Sequence, residues 1–371
     1  LIVGEAGTGR ALVARAIHML GAARAREFVR VDCAASPTEL EEQLFGTAGE
    51  IQRLQASPFC VAEVFADQKE PNTVVAHFSQ GGLGLPEREY YLATDAEKKT
   101  LRAAYEQHVT KMLVLSGLPP AEAAKQAKAI LVFETALAKA SRPIEAMRDV
   151  QKLHHRLDAP GLAKLTPKLP WERFFSAFGQ SDLTAINVMT PEFFPALQKE
   201  IGKAPLPTLK AYLRYQLLSA TAGLLPDAIY QQHFDFQGRT LAGQKEPQPR
   251  WKRCITATEQ AMGEAIGQLY VQERFAGNSK ELALDMIHGI ADAFAASLPA
   301  LTWMDETTRQ AALVKKGTLA WKIGYPEEWR DYSKLTITRG NHFANAVAAR
   351  GFEASRQLAQ VGKPVDRKEW G

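Results

Sequence analysis

The first chemistry the chain suggests is phosphate binding. Gly4-Glu5-Ala6-Gly7-Thr8-Gly9-Arg10 follows the apolar Leu1-Ile2-Val3 at once, and Ala11 to Leu20 then reads as a helix with Leu12, Ala16 and Met19 or Leu20 on one face. Strand, glycine loop and helix N-terminus together let backbone N–H groups and the helix dipole cradle phosphate oxygens. The candidate site residues for a nucleotide such as ATP are therefore Gly4, Gly7, Thr8, Gly9 and Arg10. Two side chains depart from the usual loop. Arg10 stands where a lysine reaches the β- and γ-phosphates, and Ala11 stands where a Ser or Thr holds magnesium.

Metal chemistry has fewer footholds. The eight histidines are residues 18, 77, 108, 154, 155, 233, 288 and 342, and none opens a His-Glu-x-x-His pattern. That pattern sets two imidazoles one helical turn apart on a zinc ion and leaves the glutamate to activate water. His154-His155 is the one cluster, and adjacent helical residues point about 100° apart, which does not make a shared site. His288 and His342 read as helix-face residues. Cys33, Cys60 and Cys254 contain no CxxC pair, and an odd count without a framework suggests free thiols, with one disulfide still open. No catalytic or metal-ligating residue is assigned.

A third stretch, Gln80 to Leu92 (QGGLGLPEREYYL), crowds three glycines and a proline into seven residues. The backbone must turn tightly there, with φ > 0 available at a glycine, before the charged and aromatic Glu87-Arg88-Glu89-Tyr90-Tyr91-Leu92 resumes packing. The order of residues resembles the QGGLGLPDRDYYL segment of the neprilysin and endothelin-converting-enzyme family of zinc metallopeptidases. Two further segments match collinearly: Lys322-Ile323-Gly324-Tyr325-Pro326 through Trp329 and Asp331-Tyr332-Ser333, and Gly362-Lys363-Pro364-Val365-Asp366-Arg367 through Glu369-Trp370. The resemblance covers roughly residues 51 to 371. It implies a mostly α fold, the large helical lobe that in such enzymes faces a smaller catalytic lobe. It also implies zinc-dependent hydrolysis of peptide substrates outside the cytoplasm, often by a membrane-anchored enzyme. The family's Asn-Ala-Tyr/Phe-Tyr strand and its zinc helix have no counterpart in the sequence. The expectation is thus a piece of such an enzyme, incomplete at both ends, with zinc belonging to the complete protein and neither zinc nor hydrolysis to this chain.

Residues 1 to 50 resemble something else. LIVGEAGTGRALVARAIH, FVRVDCAA and LEEQLFG look like the start of the AAA+ domain of sigma-54-dependent transcription activators, a small α/β P-loop fragment. That family's Walker B acid, GAFTGA loop and arginine finger are not found further on, so no ATPase activity is expected. These residues hold five arginines and no lysine, unlike the lysine-rich remainder, which places a seam at about residue 50 and gives domains of 1–50 and 51–371. Two alternatives to the peptidase fragment follow: an ATP-binding sigma-54-dependent regulator fragment, and a fusion whose helical lobe is a non-catalytic peptide-binding module.

Composition fits the helical reading. The chain is 46% hydrophobic and 23% charged with a net charge of +4, which gives no support to nucleic-acid binding. No run of about 18 apolar residues is present, and no signal peptide is visible. Phe59 to Phe65 and Val74 to Phe78 read as two strands around an Asp67 to Asn72 turn. Helices are expected from Asp95 to Ser116, from Pro119-Pro120 to about Ala140, after a Thr190-Pro191-Glu192 cap, over Leu209 to Leu218 and over Pro226 to Phe236. Two long amphipathic helices carry Ile255, Met262, Ile266 and Leu269, then Leu282, Met286, Ile290, Phe294 and Leu298, stripes read as core. Asp305 to Leu319 and Gly340 to Val361 complete the set. A lobe separated from its catalytic half is expected to expose apolar surface.

Overall fold

The computed structural model describes residues 37–181 and 183–370. The expected strand at Leu1 and helix from Ala11 to Leu20 lie outside them. The chain divides into two units, one made of the described residues up to Pro249 with Leu335–Val365, the other of Arg250–Lys334 with the described residues from Asp366 onward.

The first unit opens with helix α1 (Pro37–Arg53). Leu44, Phe45, Ala48 and Ile51 recur at helical spacing and are all buried. Strands β1 (Cys60–Ala66) and β2 (Val74–Gln80) follow as an antiparallel hairpin, as the alternation predicted. A one-turn helix α2 (Glu89–Leu92) leads into α3 (Ala96–Leu115), whose N-cap Asp95 accepts from Lys98 N. Helix α4 (Pro120–Ala140) starts on its proline, where the missing N–H costs no hydrogen bond. After two 3₁₀ turns come β3 (Arg156–Leu157), α5 (Ala159–Leu165), α6 (Trp171–Phe178) and β4 (Ile186–Val188). β4 lies parallel to β2 and antiparallel to β3, so the sheet order is β1-β2-β4-β3. Helices α7 (Phe193–Lys203), α8 (Leu206–Thr221) and α9 (Asp227–His233) follow, and α9 runs on into a π-helix over Phe234–Leu241.

The seam expected near residue 50 falls inside α1, which has no break there. Phe45 stacks on Phe59 at 5.4 Å and meets Trp171 edge-on at 5.9 Å, while Glu42 pairs with Arg173 of α6. Residues 42 to 50 are thus packed into the same core as the sheet. That core is aromatic: Phe78 of β2 contacts Trp171, Phe174 and Phe175, three of the four residues that α6 buries at i, i+3, i+4 and i+7.

The cap expected at Thr190 forms differently. Thr190 Oγ1 accepts from Gln80 N at 2.8 Å, leaving α7 without a side-chain cap. A hydroxyl beside a strand end meets a half-buried amide at the end of β2, and that bond takes the place of capping.

In the second unit, α10 (Arg250–Arg274) is interrupted at Met262, whose φ of −150° is not helical. α11 (Ser279–Ser297) and α12 (Glu306–Gly317, N-capped by Asp305) follow, and the unit's chain ends against the Lys322–Arg330 segment. Lys322 Nζ reaches Glu369 O, Lys368 pairs with Glu328, and Tyr325 stacks on Trp329. Most of the stripe residues read as core are not core: neither α10 nor α11 buries a residue and Leu282, Met286 and Ile290 are exposed, whereas Leu298, just beyond α11, is buried. Periodicity reports an apolar face, not what covers it. The last helix, α13 (His342–Leu358), belongs to the first unit, and beyond it Gly362 N and Lys363 O bond Val74 of β2. Among the described residues Cys60 and Cys254 are free, burial pushing the Cys60 thiol up to about 12.

Truncating Phe45 tests the continuity of α1 with the core. Phe45→Ala should lower unfolding stability by about 3–5 kcal/mol in urea titrations; a loss under about 1 kcal/mol is expected only if residues before 50 pack independently.

Candidate functional site

The Gln80–Leu92 stretch converges on buried polar groups from five elements. β2 delivers Gln80, whose side-chain amide pairs both ways with one residue: Nε2 donates to Arg142 O at 3.0 Å and Oε1 accepts from Arg142 N at 2.7 Å. Arg142 in turn grips Glu192 through Nε and Nη2. Gly82 sits at φ +80°, and a Cβ there would lie 2.8 Å from Pro58 O, so only glycine fits. Its carbonyl accepts from Tyr212 of α8 at 2.8 Å.

Beneath the loop lies a carboxyl group. Glu134 of α4 is fully buried and accepts from Tyr91 Oη at 2.9 Å and from Tyr105 Oη of α3 at 2.8 Å. Tyr91 Oη accepts in its turn from Gly84 N at 3.0 Å and Leu85 N at 2.8 Å, fastening the loop backbone to the carboxyl. Gly84 has no room for a side chain, since a Cβ would come within 1.9 Å of Tyr105 Oη. Burial pushes the Glu134 carboxyl up to about 8, although the bonds from Tyr105 and Tyr91 oppose it. Burial, with the Glu134 charge, holds both tyrosines well above their usual range. Arg88 Nη1 then donates to Ser141 O at 2.7 Å, clamping the loop's far end to the end of α4.

Above the loop is an open cavity of about 310 Å³, with Gly81, Leu85, Arg88, Arg142, Ile144 and Gln216 among its walls. Both Glu134 oxygens are engaged by tyrosine hydroxyls, and the group has no exposure to solvent, so an entering water or metal does not reach it. The arrangement fixes a backbone; it does not present a nucleophile.

The histidine cluster does not converge either. His154 and His155 lie immediately before β3 rather than on a helix face. His154 Nε2 bonds Asp67 Oδ1 at 3.0 Å, whereas His155 Nδ1 bonds Val188 O at 3.1 Å. Asp67 also takes Arg156 Nη1 at 2.7 Å and the backbone N–H groups of Lys69 and Glu70. Burial pushes its carboxyl up, but these bonds outweigh burial and hold it at about 2. Among the described residues no group of three or more His, Cys, Asp or Glu is placed to hold a metal ion. The described residues therefore do not fit a zinc ion. Gly4, Gly7, Thr8, Gly9 and Arg10 lie outside the described residues. Sequence reasoning missed Glu134, Tyr105 and Tyr212; the only local signal was the aromatic pair Tyr90-Tyr91 inside the motif.

With this geometry in view, the comparisons are specific. The amino-terminal model of peptidase family M13 matches residues 10–326. The chain belongs to peptidase family M13. Among M13 relatives, an endothelin-converting enzyme homolog of Locusta migratoria is 31% identical over 323 residues, 82% of this chain and 44% of the relative. Endothelin-converting enzyme 1 of Rattus norvegicus is 31% identical over 327 residues, 85% of this chain and 43% of the relative. The chain thus spans less than half the length of these curated relatives. The open-state cryo-EM structure of Mycobacterium tuberculosis zinc metalloprotease Zmp1 superposes with a TM-score of 0.81 at 32% identity, covering 91% of this chain and 52% of that one. PepO of Lactobacillus rhamnosis, at 22% identity and a TM-score of 0.76, shares the fold.

The buried carboxyl gives a pH signature. A folded pKa of about 8 against 4.5 unfolded means that between these values the native chain keeps a proton the unfolded chain has released. Glu134 stabilisation is then fully present below pH 4.5 and falls by at most about 1.4 kcal/mol per pH unit as pH rises to 8. Subtracting the unfolding free energy of Glu134→Gln at each pH should isolate that slope; a flat difference would mean the carboxyl is ionised in the fold.

Proposed function

We propose that the chain is the helical part of a zinc-dependent metalloendopeptidase, a wall that encloses peptide substrates rather than the centre that hydrolyses them. The observation that carries this is the M13 match over residues 10–326, combined with a superposition on Zmp1 that covers nine-tenths of this chain and half of that one. The motif Gln80–Leu92 fits the reading: its glycines, Tyr91 and Arg88 are spent on holding one loop against α4 and β2, which is scaffold work. Zinc and the hydrolytic step belong, on this reading, to the complete enzyme. No helix among the described residues is long and apolar enough to cross a membrane.

Residues 1 to 50 enter the proposal as two parts. The stretch before Pro37 keeps the activator-like, degenerate phosphate loop as its reading. The part from Pro37 onward goes with the helical unit, supported by the unbroken α1 and the buried Phe45. With Arg10 in place of lysine and no second wall to the nucleotide site, ATP binding is not expected to be functional.

Purified 371-residue protein should cleave no fluorogenic peptide and carry no stoichiometric zinc by elemental mass spectrometry. Chelator-sensitive cleavage would overturn the proposal. Titration with a fluorescent ATP analogue should likewise show no saturation; saturable binding that disappears in Gly9→Asp would restore the regulator fragment as the better account.

A further inference from the structure

Among the described residues strand β1 forms one edge of the sheet, and the phase of its hydrogen bonds can be fixed. Asp67 N donates to Thr73 O at 2.8 Å, which makes Phe65–Val75, Glu63–His77 and Val61–Ser79 the bonded pairs. Bonds on the far side of β2 agree, since Ala76 N donates to Ala185 O and Phe78 O accepts from Met189 N. Ala62 and Val64 therefore turn their N–H and C=O groups outward, away from β2. One of the four is satisfied by a side chain: Gln52 Nε2 donates to Ala62 O at 3.1 Å. Gln52 is only 6% exposed, yet its Oε1 has no partner. A glutamine thus stands in for a strand at one position and leaves the next ones open.

The open edge faces a groove of about 420 Å³. Val61–Phe65 form one wall, the buried Phe178 and Leu358 close its floor, and Gln55 and Gln357 supply uncharged amides. Glu63 is exposed and has no ion-pair partner among the described residues. The groove therefore combines unpaired strand groups, apolar contact, hydrogen-bonding amides and one unbalanced negative charge.

We propose that the free edge of β1 receives an extended peptide as a fifth strand. Main-chain bonds to Ala62 and Val64 supply the attachment, as in other cases of strand addition. Alternate apolar side chains of the peptide lie on the same face of the sheet as Val64, and a lysine or arginine lies opposite Glu63, since opposite charges across paired strands attract. The site depends on the β1 edge alone and not on the peptidase reading or on zinc.

The test uses the full chain and two fluorescein-labelled, acetylated and amidated pentapeptides, Thr-Val-Lys-Val-Thr and its Thr-Val-Glu-Val-Thr counterpart. Fluorescence polarisation should show saturable binding of the lysine peptide and weaker binding of the glutamate peptide, with the Ala62 and Val64 amides slowed in hydrogen exchange. Val64→Pro removes an outward donor without touching the ladder to β2, a place where an edge strand tolerates proline. It should weaken binding about tenfold, the effect of roughly one lost hydrogen bond. Glu63→Lys, a surface change expected to leave folding intact, should reverse the preference between the two peptides. Absence of saturable binding to either peptide overturns the proposal, as does a preference unmoved by Glu63→Lys. A chain that dimerises without peptide, and loses the dimer in Val64→Pro, overturns it in favour of edge-to-edge pairing of two copies.

Discussion

A carboxyl group with no route to water, Glu134, lies under the one loop that touches most of the first unit. Stripped of solvent, it must be neutral or be surrounded by donors, and the fold supplies two tyrosine hydroxyls. Each of those hydroxyls is committed elsewhere as well. Tyr91 holds two loop amides and Tyr105 fills the space that Gly84 leaves, so the carboxyl, the tyrosines and the loop backbone are satisfied together or not at all. Removing one member strands the others in a dry interior, at a cost of about 1–3 kcal/mol for each unpaired group.

From that centre the constraint spreads outward. Gln80 ties the end of β2 to the chain beyond α4, Thr190 ties it to the start of α7, and Tyr212 brings α8 onto the same turn. The M13 motif is accordingly a junction. Gly82 is required by its positive φ and Gly84 by the absence of space. Tyr91 is required by its hydroxyl and Arg88 by the carbonyl it clamps. A loop so fully engaged has its shape fixed by the scaffold, and any peptide chemistry nearby must be supplied by other groups.

Much of the helical architecture was legible in the residues because local rules suffice for it. Asp95 and Asp305 announce caps, Pro120 announces a first turn, and the alternation around Asp67 announces a hairpin. What was not legible depends on distant partners. Nothing near Glu134 shows that its acceptors will serve a loop more than forty residues earlier. Nothing near Thr190 shows that its hydroxyl will serve Gln80 rather than a helix end. The three-residue β4 is too short to show a period, yet it joins β2 to β3. The apolar stripes of α10 and α11 show the opposite failure, a correct pattern whose burial the pattern cannot supply.

The M13 loop is held by Tyr91 acting through Glu134. Amide hydrogen exchange at Gly84 and Leu85 tests it most directly, comparing the chain with Tyr91→Phe, which keeps the ring and deletes the hydroxyl. Slow exchange is expected at both amides in the chain, with an acceleration of roughly ten- to a hundredfold in the variant, corresponding to the loss of one buried acceptor. Exchange at these two amides that is already fast, or that Tyr91→Phe leaves unchanged, would contradict it.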